Sequence, residues 1–158
     1  MKGVNSMNEF STAGITVKYA VETTSGERPT TGYSTIQGIK STPDFNPEPS
    51  TLEVTDLSDT EWKRYIPGLK DVGGALAFSA NLTTAFKTAW ASLVEQAETA
   101  KKSDKSVWFE IAIPDFESFY FAGMPSELGV SAFETDQVAE IDAYVTPNKL
   151  LGWAEASN

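Results

Sequence analysis

The chain has 158 residues, of which 41 % are hydrophobic and 22 % charged, a balance typical of one folded globular domain and not of a disordered chain. It contains no cysteine and no histidine, which excludes disulfides, thiolate metal sites and every triad mechanism that depends on those residues. The formal net charge of −10 disfavours nucleic-acid binding of the usual kind, because an acidic surface repels phosphate backbones.

The negative charge is concentrated in the last third of the chain. Residues 1–105 carry 13 acidic and 11 basic side chains, whereas residues 106–158 carry nine acidic side chains and one lysine, Lys149. Solubility alone can explain such a surface. The alternative is a surface that must not adhere to a polyanion close by.

Targeting and membrane signals are missing from the sequence. No apolar run approaches the roughly 18 residues that a membrane-spanning helix needs, and the first ten residues lack the apolar centre of a signal peptide. We therefore expect a soluble protein that is made and kept in a cytoplasm and has no membrane partner.

The first elements are predicted to be strands. Residues 1–12 read as a flexible N-terminal arm, and residues 13–158 as a single domain. Apolar and polar residues alternate from Ile15 to Val21, which is the period-two pattern of a strand. A second, weaker strand is predicted over residues 33–40.

A long loop is predicted over residues 41–61. Three prolines in residues 41–50 remove donors from any sheet ladder and fix the backbone φ angle. A short strand over 52–55 and an acidic link follow, and Pro67-Gly68 then signals a turn. Connections of roughly 20 residues are usually functional or intermolecular.

One helix is predicted, over residues 84–102. Thr83 or Thr84 can cap its start, and Lys101 and Lys102 suit the negative end of the helix dipole. Its apolar residues recur at helical spacing and form a single stripe. The stripe consists of Phe86, Trp90, Leu93, Val94 and Ala97.

Aromatic strands dominate the second half of the chain. Residues 75–82 form a half-buried strand, and residues 107–113 and 118–122 are expected to pair as a hairpin. Trp108 and Tyr120 fall on the face opposite the core, where they would meet the helix or a neighbouring subunit. The core face of the hairpin consists of Val107, Phe109, Ile111, Phe119 and Phe121.

Two further strands are predicted, over residues 128–133 and 137–145, before a turn at residues 146–148 and a short tail. The sum is a mainly β protein of about seven or eight strands with one flanking helix. A sandwich or a nearly closed barrel, with the helix over one edge or mouth, accommodates these elements.

No catalytic, cofactor or metal site is predicted. Residues 71–74 lack the spacing of a phosphate-binding loop. Asp56, Asp59 and Glu61 lack the turn glycine of a calcium loop, so a solvated loop is the simpler interpretation. Carboxylate pairs at i, i+2 spacing are more simply solvent-facing rows than a glycosidase pair.

The most specific sequence lies between residues 50 and 80. It runs Thr-Leu-Glu-Val-Thr at 51–55, then Tyr-Ile-Pro-Gly-Leu-Lys-Asp-Val-Gly at 65–73, then Leu-Ala-Phe at 76–78. This stretch resembles the major tail tube proteins of long-tailed, siphovirus-type phages and prophages of Gram-positive bacteria. The order of the remaining elements is similar to that family over nearly the whole chain.

The resemblance implies a non-enzymatic virion protein of the tail, assembled in the host cytoplasm. Six copies would form a ring, and stacked rings would form the tube through which the genome is delivered. The implied partners are other copies of the chain and the tape measure, tail terminator and distal tail proteins. DNA would pass through without specific binding, and no cofactor is implied.

Two sets of residues are predicted to serve that function. The region around Phe10 is a weaker candidate for contact with the next ring. Acidic residues of the tube lumen would be Glu134, Asp136, Glu140 and Asp142. The inter-ring stacking loop would use Asp44, Phe45, Asn46, Glu48, Leu52, Glu53, Asp56, Leu57 and Trp62.

Three alternatives remain open at this point. A tube protein of a contractile injection or type VI secretion system would share the fold and the ring. A non-catalytic carbohydrate-binding β-sandwich of a tail tip would use exposed aromatic residues and would not self-assemble. An enzyme restricted to carboxylate chemistry is the third.

Overall fold

The computed structural model describes Glu9 and residues 11–157. Within this part of the chain a single helix, α1, follows the sixth of nine strands. The elements are β1 Thr16–Val21, β2 Ser34–Ile36, β3 Ile39–Ser41, β4 Thr51–Glu53, β5 Tyr65–Pro67, β6 Leu76–Asn81, α1 Thr84–Lys102, β7 Val107–Ala112, β8 Ser118–Pro125 and β9 Glu140–Ala154.

Seven strands form one antiparallel sheet in the order β2-β1-β7-β8-β9-β6-β3. If the sheet were flat, its two edge strands would lie about 29 Å apart at the usual strand spacing. Only Gln37 and Gly38 separate β2 from β3, a link that spans at most about 11 Å. The sheet must therefore curl until its edges nearly meet, and the prediction of a mainly β, nearly closed barrel is confirmed.

The same geometry corrects the second predicted strand. The run over residues 33–40 is divided at Gly38, which has a φ of 90°. Its first part pairs with β1 and its second part with β6. A glycine suits this position because positive φ costs it little.

Helix α1 has the predicted bounds and covers the interior of the curled sheet. Thr83 is its N-cap and accepts a hydrogen bond from the Phe86 amide at 3.0 Å. All five residues of the predicted apolar stripe are buried. Trp90 is fully buried, and its indole N–H donates to the Ser126 carbonyl at 2.8 Å, so the helix also holds the chain that follows β8.

A second, smaller core lies on the outward face of the sheet. Trp108 and Tyr120 are buried there with Ala122, against Tyr33 and Ala154. The prediction that Trp108 and Tyr120 meet the helix or a neighbouring subunit is therefore wrong. The loop before β2 and the end of the chain cover them instead, which periodicity within the hairpin does not reveal.

Two carboxylates are buried in this outer core. Glu22 accepts hydrogen bonds from the Trp108 indole at 2.8 Å and from the amides of Gly26 and Ser106. Burial raises the pKa of such a carboxyl, but these bonds outweigh it and hold the pKa of Glu22 below its ordinary value. A charged group is tolerated here because its hydrogen bonds replace its water.

Glu110 binds the end of the chain. Its carboxylate accepts from the Ser157 hydroxyl at 2.6 Å and the Ser157 amide at 3.1 Å. The Tyr120 hydroxyl shares its proton between Glu110 at 3.1 Å and the Glu155 carbonyl at 2.8 Å. Burial raises the pKa of Glu110, but the Ser118 hydroxyl beside it and the bonds from Ser157 and Tyr120 hold that pKa below its ordinary value.

The last two predicted strands are also corrected. Residues 128–133 form no strand, and the strand predicted over 137–145 begins at Glu140 and continues to Ala154. Pro147 does not end it, because the pairing with β8 shifts register immediately after this proline. The shift brings Pro147 opposite Gly123, where an added side chain would lie 2.8 Å from the Thr146 carbonyl.

Candidate assembly surface

Residues 50–69 form a hairpin that is not part of the large sheet. We call this hairpin the arm; it is distinct from the N-terminal arm predicted over residues 1–12. Strands β4 and β5 pair antiparallel, with Leu52 opposite Ile66, and all six of their residues are exposed. The base is closed by hydrogen bonds from the Gly68 amide to the Ser50 carbonyl, 2.6 Å, and from the Ser50 hydroxyl to the Leu69 carbonyl, 2.9 Å.

The arm differs in extent from the predicted loop. Pro67 does not begin a turn; it pairs with Thr51 in the hairpin. The predicted boundary at residue 61 therefore divides a single unit, since the second strand of the arm lies beyond it. The second strand, Tyr65–Pro67, has only three residues, and its pairing with β4 is what identifies it as a strand.

The tip of the arm is held together by Arg64. The Arg64 guanidinium contacts both carboxylate oxygens of Asp59, at 2.8 and 3.0 Å, and lies 3.4 Å from Asp56. It also donates to the Val54 carbonyl at 3.3 Å. Hydrogen bonds from Ser58 hold the pKa of Asp56 below its ordinary value. The acidic link is therefore an ordered tip whose charge is partly neutralised within the arm.

The arm exposes far more apolar surface than a solvated loop would. Leu57 and Leu69 are almost fully exposed, and Trp62 is 80 % exposed. An isolated two-stranded hairpin is at best marginally stable in water, and contiguous exposed apolar surface marks an interaction site. The exposed apolar residues of the arm are Leu52, Val54, Leu57, Trp62, Tyr65, Ile66 and Leu69.

The predicted stacking residues are distributed over two regions. Leu52, Glu53, Asp56, Leu57 and Trp62 belong to the arm and are exposed. Asp44, Asn46 and Glu48 are exposed in the segment that leads to it.

Phe45 differs from the other predicted stacking residues. It packs into the core, with its ring centroid 5.1 Å from Phe119 and 4.6 Å from Phe121. It therefore fixes the segment that leads to the arm onto the barrel, a contact that the prediction of a loop over residues 41–61 did not include. The region around Phe10, also predicted to make contacts, lies outside the described residues.

The predicted lumen residues lie on or just before β9. Glu140 and Asp142 point outward from the sheet, opposite Asn81 and Ser79 of β6. Glu140 forms an ion pair with Lys40 at 2.5 Å. Glu134 and Asp136 are exposed in the segment before the strand. Together these residues border an outward sheet face with polar neighbours on β6.

One set of exposed apolar residues was not predicted as a site. Phe116, Leu150, Leu151 and Trp153 are each about half exposed; we call them the ledge. Trp153 packs edge-to-face on Phe116 at 5.5 Å and on Phe119 at 5.6 Å. The sequence placed these residues in a turn and a tail, because the continuation of β9 beyond Pro147 was not anticipated.

Signs of other site types are missing from the described residues. No group of three or more acidic side chains there is arranged to hold a metal ion. No helix in this part of the chain is long and apolar enough to cross a membrane.

Comparisons with known proteins find similarity of fold to a solved structure but no match in sequence. No family model matches the chain, and no curated protein matches its sequence. A chain in the structure described as "Cryo-EM structure of the anti-feeding prophage (AFP) baseplate, 6-fold symmetrised" superposes with a TM-score of 0.59. The fold is shared. The match covers 90 % of this chain and 94 % of that one at 8 % identity, so it concerns the whole domain and its fold.

Proposed function

We propose that the chain is a structural protein of a phage tail or a related injection system, and that its copies join into sixfold rings which stack into a tube. The arm carries this proposal. It is a hairpin with seven exposed apolar side chains, and the barrel from which it projects is already complete without it. Such an element is stabilised when another copy covers it.

Two further observations support the proposal. The matched chain, similar over nearly its full length, belongs to an assembly described as sixfold symmetrised. The sequence of residues 50–80, which resembles tail tube proteins, includes the whole arm. Assembly with other tail proteins and a location in the virion tail follow from this proposal.

The passage of DNA accounts for the charge. Six copies at −10 each give a ring of about −60, and a lumen of that sign repels phosphate. We place Glu134, Asp136, Glu140 and Asp142 at the lumen, because all four are exposed on β9 or in the segment just before it. Polar neighbours such as Ser79 and Asn81 suit a wall that DNA passes without binding.

An enzymatic role is not proposed. The chain lacks cysteine and histidine, and its two buried glutamates, Glu22 and Glu110, accept hydrogen bonds from groups that the fold itself supplies. A carboxylate used in this way holds structure together and is not presented to a substrate.

The second candidate is a component of a contractile injection system, and the baseplate match favours it. Such a component would form the same rings, so ring formation does not separate the candidates. A tube of a contractile system is enclosed by a sheath, whereas a long non-contractile tail has none. Mass spectrometry of intact particles that contain this chain will show which partner proteins accompany it.

Electron microscopy of the purified protein at high concentration tests the proposal directly. We expect rings or tubes in negative stain. The matched variant replaces residues 51–67 with two glycines, a short bridge because the Ser50 carbonyl lies 2.6 Å from the Gly68 amide. It keeps Phe45 in the core and should remain folded but unassembled. Absence of rings and tubes from the natural protein, with saturable glycan binding, would identify a tail-tip sugar-binding protein instead.

A further inference from the structure

A groove with an apolar floor and a basic rim lies where helix α1 ends; we call it the groove. It is a cavity of about 300 Å³ between the end of the helix, the start of β7 and the bulged region of β8 and β9. The floor is formed by buried or partly buried apolar residues, namely Ala97, Val107 and Met124. The rim carries Lys101, Lys105 and Asn148. An apolar side chain that neighbours a carboxylate would match both parts of this surface.

The rim is positively charged although the chain as a whole is acidic. Residues 99–106 contain one acidic residue, Asp104, and three lysines, Lys101, Lys102 and Lys105. None of these lysines forms an ion pair within the part of the chain that the structure describes. Lys149, the only basic residue after position 105, directly follows a lining residue of the groove. The helix dipole favours lysines in the last turn of α1, but it does not account for Lys149 on β9.

The arm has the opposite charge. It contains four acidic side chains and two basic ones, which leaves a net charge of −2. Arg64 is occupied by both aspartates of the tip, whereas Glu53 and Glu61 are exposed and form no ion pair with any described residue. Each of these glutamates neighbours an exposed apolar side chain, Leu52 or Trp62. The arm therefore presents apolar side chains beside unpaired carboxylates, which complements an apolar floor with a basic rim.

The groove and the segment that leads to the arm lie at different positions along the β7–β8 hairpin. At one end of the hairpin Val107 pairs with Gly123, and both residues line the groove. Phe45 packs nearer the other end, where Phe119 pairs with Ile111. No ion pair or backbone hydrogen bond joins the arm to the groove within the described residues. A molecule with two different complementary patches joins head to tail, and such contacts generate rings or open filaments.

We infer that the groove at the end of α1 receives the arm of the next copy. Trp62 would pack on the apolar floor, and Glu53 and Glu61 would meet Lys101 and Lys105 on the rim. This inference rests on the proposed function only in requiring that copies of the chain assemble. It assigns the receiving surface, which neither the sequence resemblance nor the baseplate match identifies.

A second segment with acidic and apolar residues provides the comparison. Residues 126–139 expose Val130 and Phe133 beside Glu134, and they form no helix or strand. The arm, by contrast, is a paired hairpin whose base is closed by hydrogen bonds. We expect the arm to occupy the groove, because a pre-formed element loses less conformational freedom on binding.

Complementation between two variants tests the inference. The first lacks the arm through the 51–67 replacement and keeps the groove. The second keeps the arm and carries Lys101→Glu with Lys105→Glu. Each alone should self-associate about tenfold more weakly than the natural protein, or less, but a mixture should form a complex of equal stoichiometry in analytical ultracentrifugation. Thermal unfolding of each variant establishes that it is folded.

Two exposed lysines of the same helix give a matched test of the charge. Lys101→Glu should weaken association about fivefold, and the loss should diminish in high salt because exposed charges are screened. Lys87→Glu makes the same change near the other end of α1, and this variant should associate like the natural protein. Adding Glu61→Lys to Lys101→Glu should restore most of the association, because the pair is then reversed and not removed.

Aromatic substitutions identify the occupant of the groove. Trp62→Ala should weaken association by about 30-fold, because an exposed tryptophan that becomes buried at a contact is a frequent hot spot. Phe133→Ser, in the segment used for comparison, should associate like the natural protein. Analytical ultracentrifugation over a range of concentrations measures both.

The outcomes separate this inference from the proposed function. If the natural protein forms tubes and Lys101→Glu with Lys105→Glu forms them equally well, the groove assignment is wrong while the function stands. If Phe133→Ser weakens association and Trp62→Ala does not, the groove receives residues 126–139 and not the arm. If the lysine variant associates normally but loses binding to duplex DNA, the groove holds phosphate instead. Failure of the natural protein to associate at all would overturn the proposed function itself.

Discussion

The outward face of the sheet has two halves that differ in environment although both carry carboxylates. On β7 and β8, Glu110 is completely buried beneath the end of the chain. On β9, Glu140 and Asp142 stay exposed. The comparison teaches that alternation assigns a residue to a face of the sheet, while the segments that cross that face decide whether it is structural or available to solvent.

The largest difference between the two halves should appear on removing one carboxylate from each. Glu110→Ala removes the acceptor for Ser157 and Tyr120, and buried donors left unpaired are costly. We expect Glu110→Ala to lower the free energy of unfolding by about 3 kcal/mol. Asp142→Ala should change the free energy of unfolding by no more than about 0.5 kcal/mol. Urea denaturation monitored by tryptophan fluorescence measures both; equal losses would contradict the contrast.

Acid should reveal the same asymmetry. The pKa values of Glu22 and Glu110 in the folded state lie below their ordinary value of 4.5. Unfolding therefore takes up protons in the pH range below 4.5. The contribution of the two ionised carboxylates to the free energy of unfolding is complete above pH 4.5, and it is lost as the pH falls through their folded-state pKa values. In Glu110→Gln the unfolding free energy should depend less on pH below 4.5. Thermal melts of this variant and of the natural protein across this pH range compare the two slopes.

Cations provide a smaller contrast. The Arg28 guanidinium lies 4.3 Å from the centre of the Tyr120 ring in the covered half, whereas Lys40 pairs with Glu140 in the bare half, with both side chains 44 % exposed. Arg28→Ala should cost about 1 kcal/mol, and Lys40→Ala no more than about 0.5 kcal/mol. High salt should diminish the Lys40 effect more strongly. A larger loss for Lys40 would mean that the outward face of β9 is covered.

The smallest effect on stability should accompany a specific effect on function. Replacing Glu134, Asp136, Glu140 and Asp142 with lysine should leave assembly intact and slow DNA ejection, because the wall would then attract phosphate. The matched control changes Glu95 and Glu98 to lysine on the exposed side of α1. Ejection followed by DNA release from purified particles should slow only in the first variant. Unchanged kinetics would remove these residues from the lumen.

The sequence determined the elements that depend on short-range pattern. The helix over residues 84–102 follows from a cap, a stripe and a basic end, all within one segment, and its bounds are correct. The aromatic hairpin follows from alternation and a turn. The sequence also predicts that Leu52, Leu57 and Trp62 contact another copy, and all three are exposed in the structure.

The tertiary structure decided features that require pairing between distant segments. The second strand of the arm exists because Tyr65–Pro67 finds Thr51–Glu53, and β9 passes Pro147 because Gly123 leaves room for it. Phe45 lies in the core and Trp153 on the ledge for the same reason. Periodicity reports which side of a strand a residue faces. It carries no information on which segments cross that side. Those segments decide which carboxylates and aromatic residues are buried and which remain available to another copy of the chain.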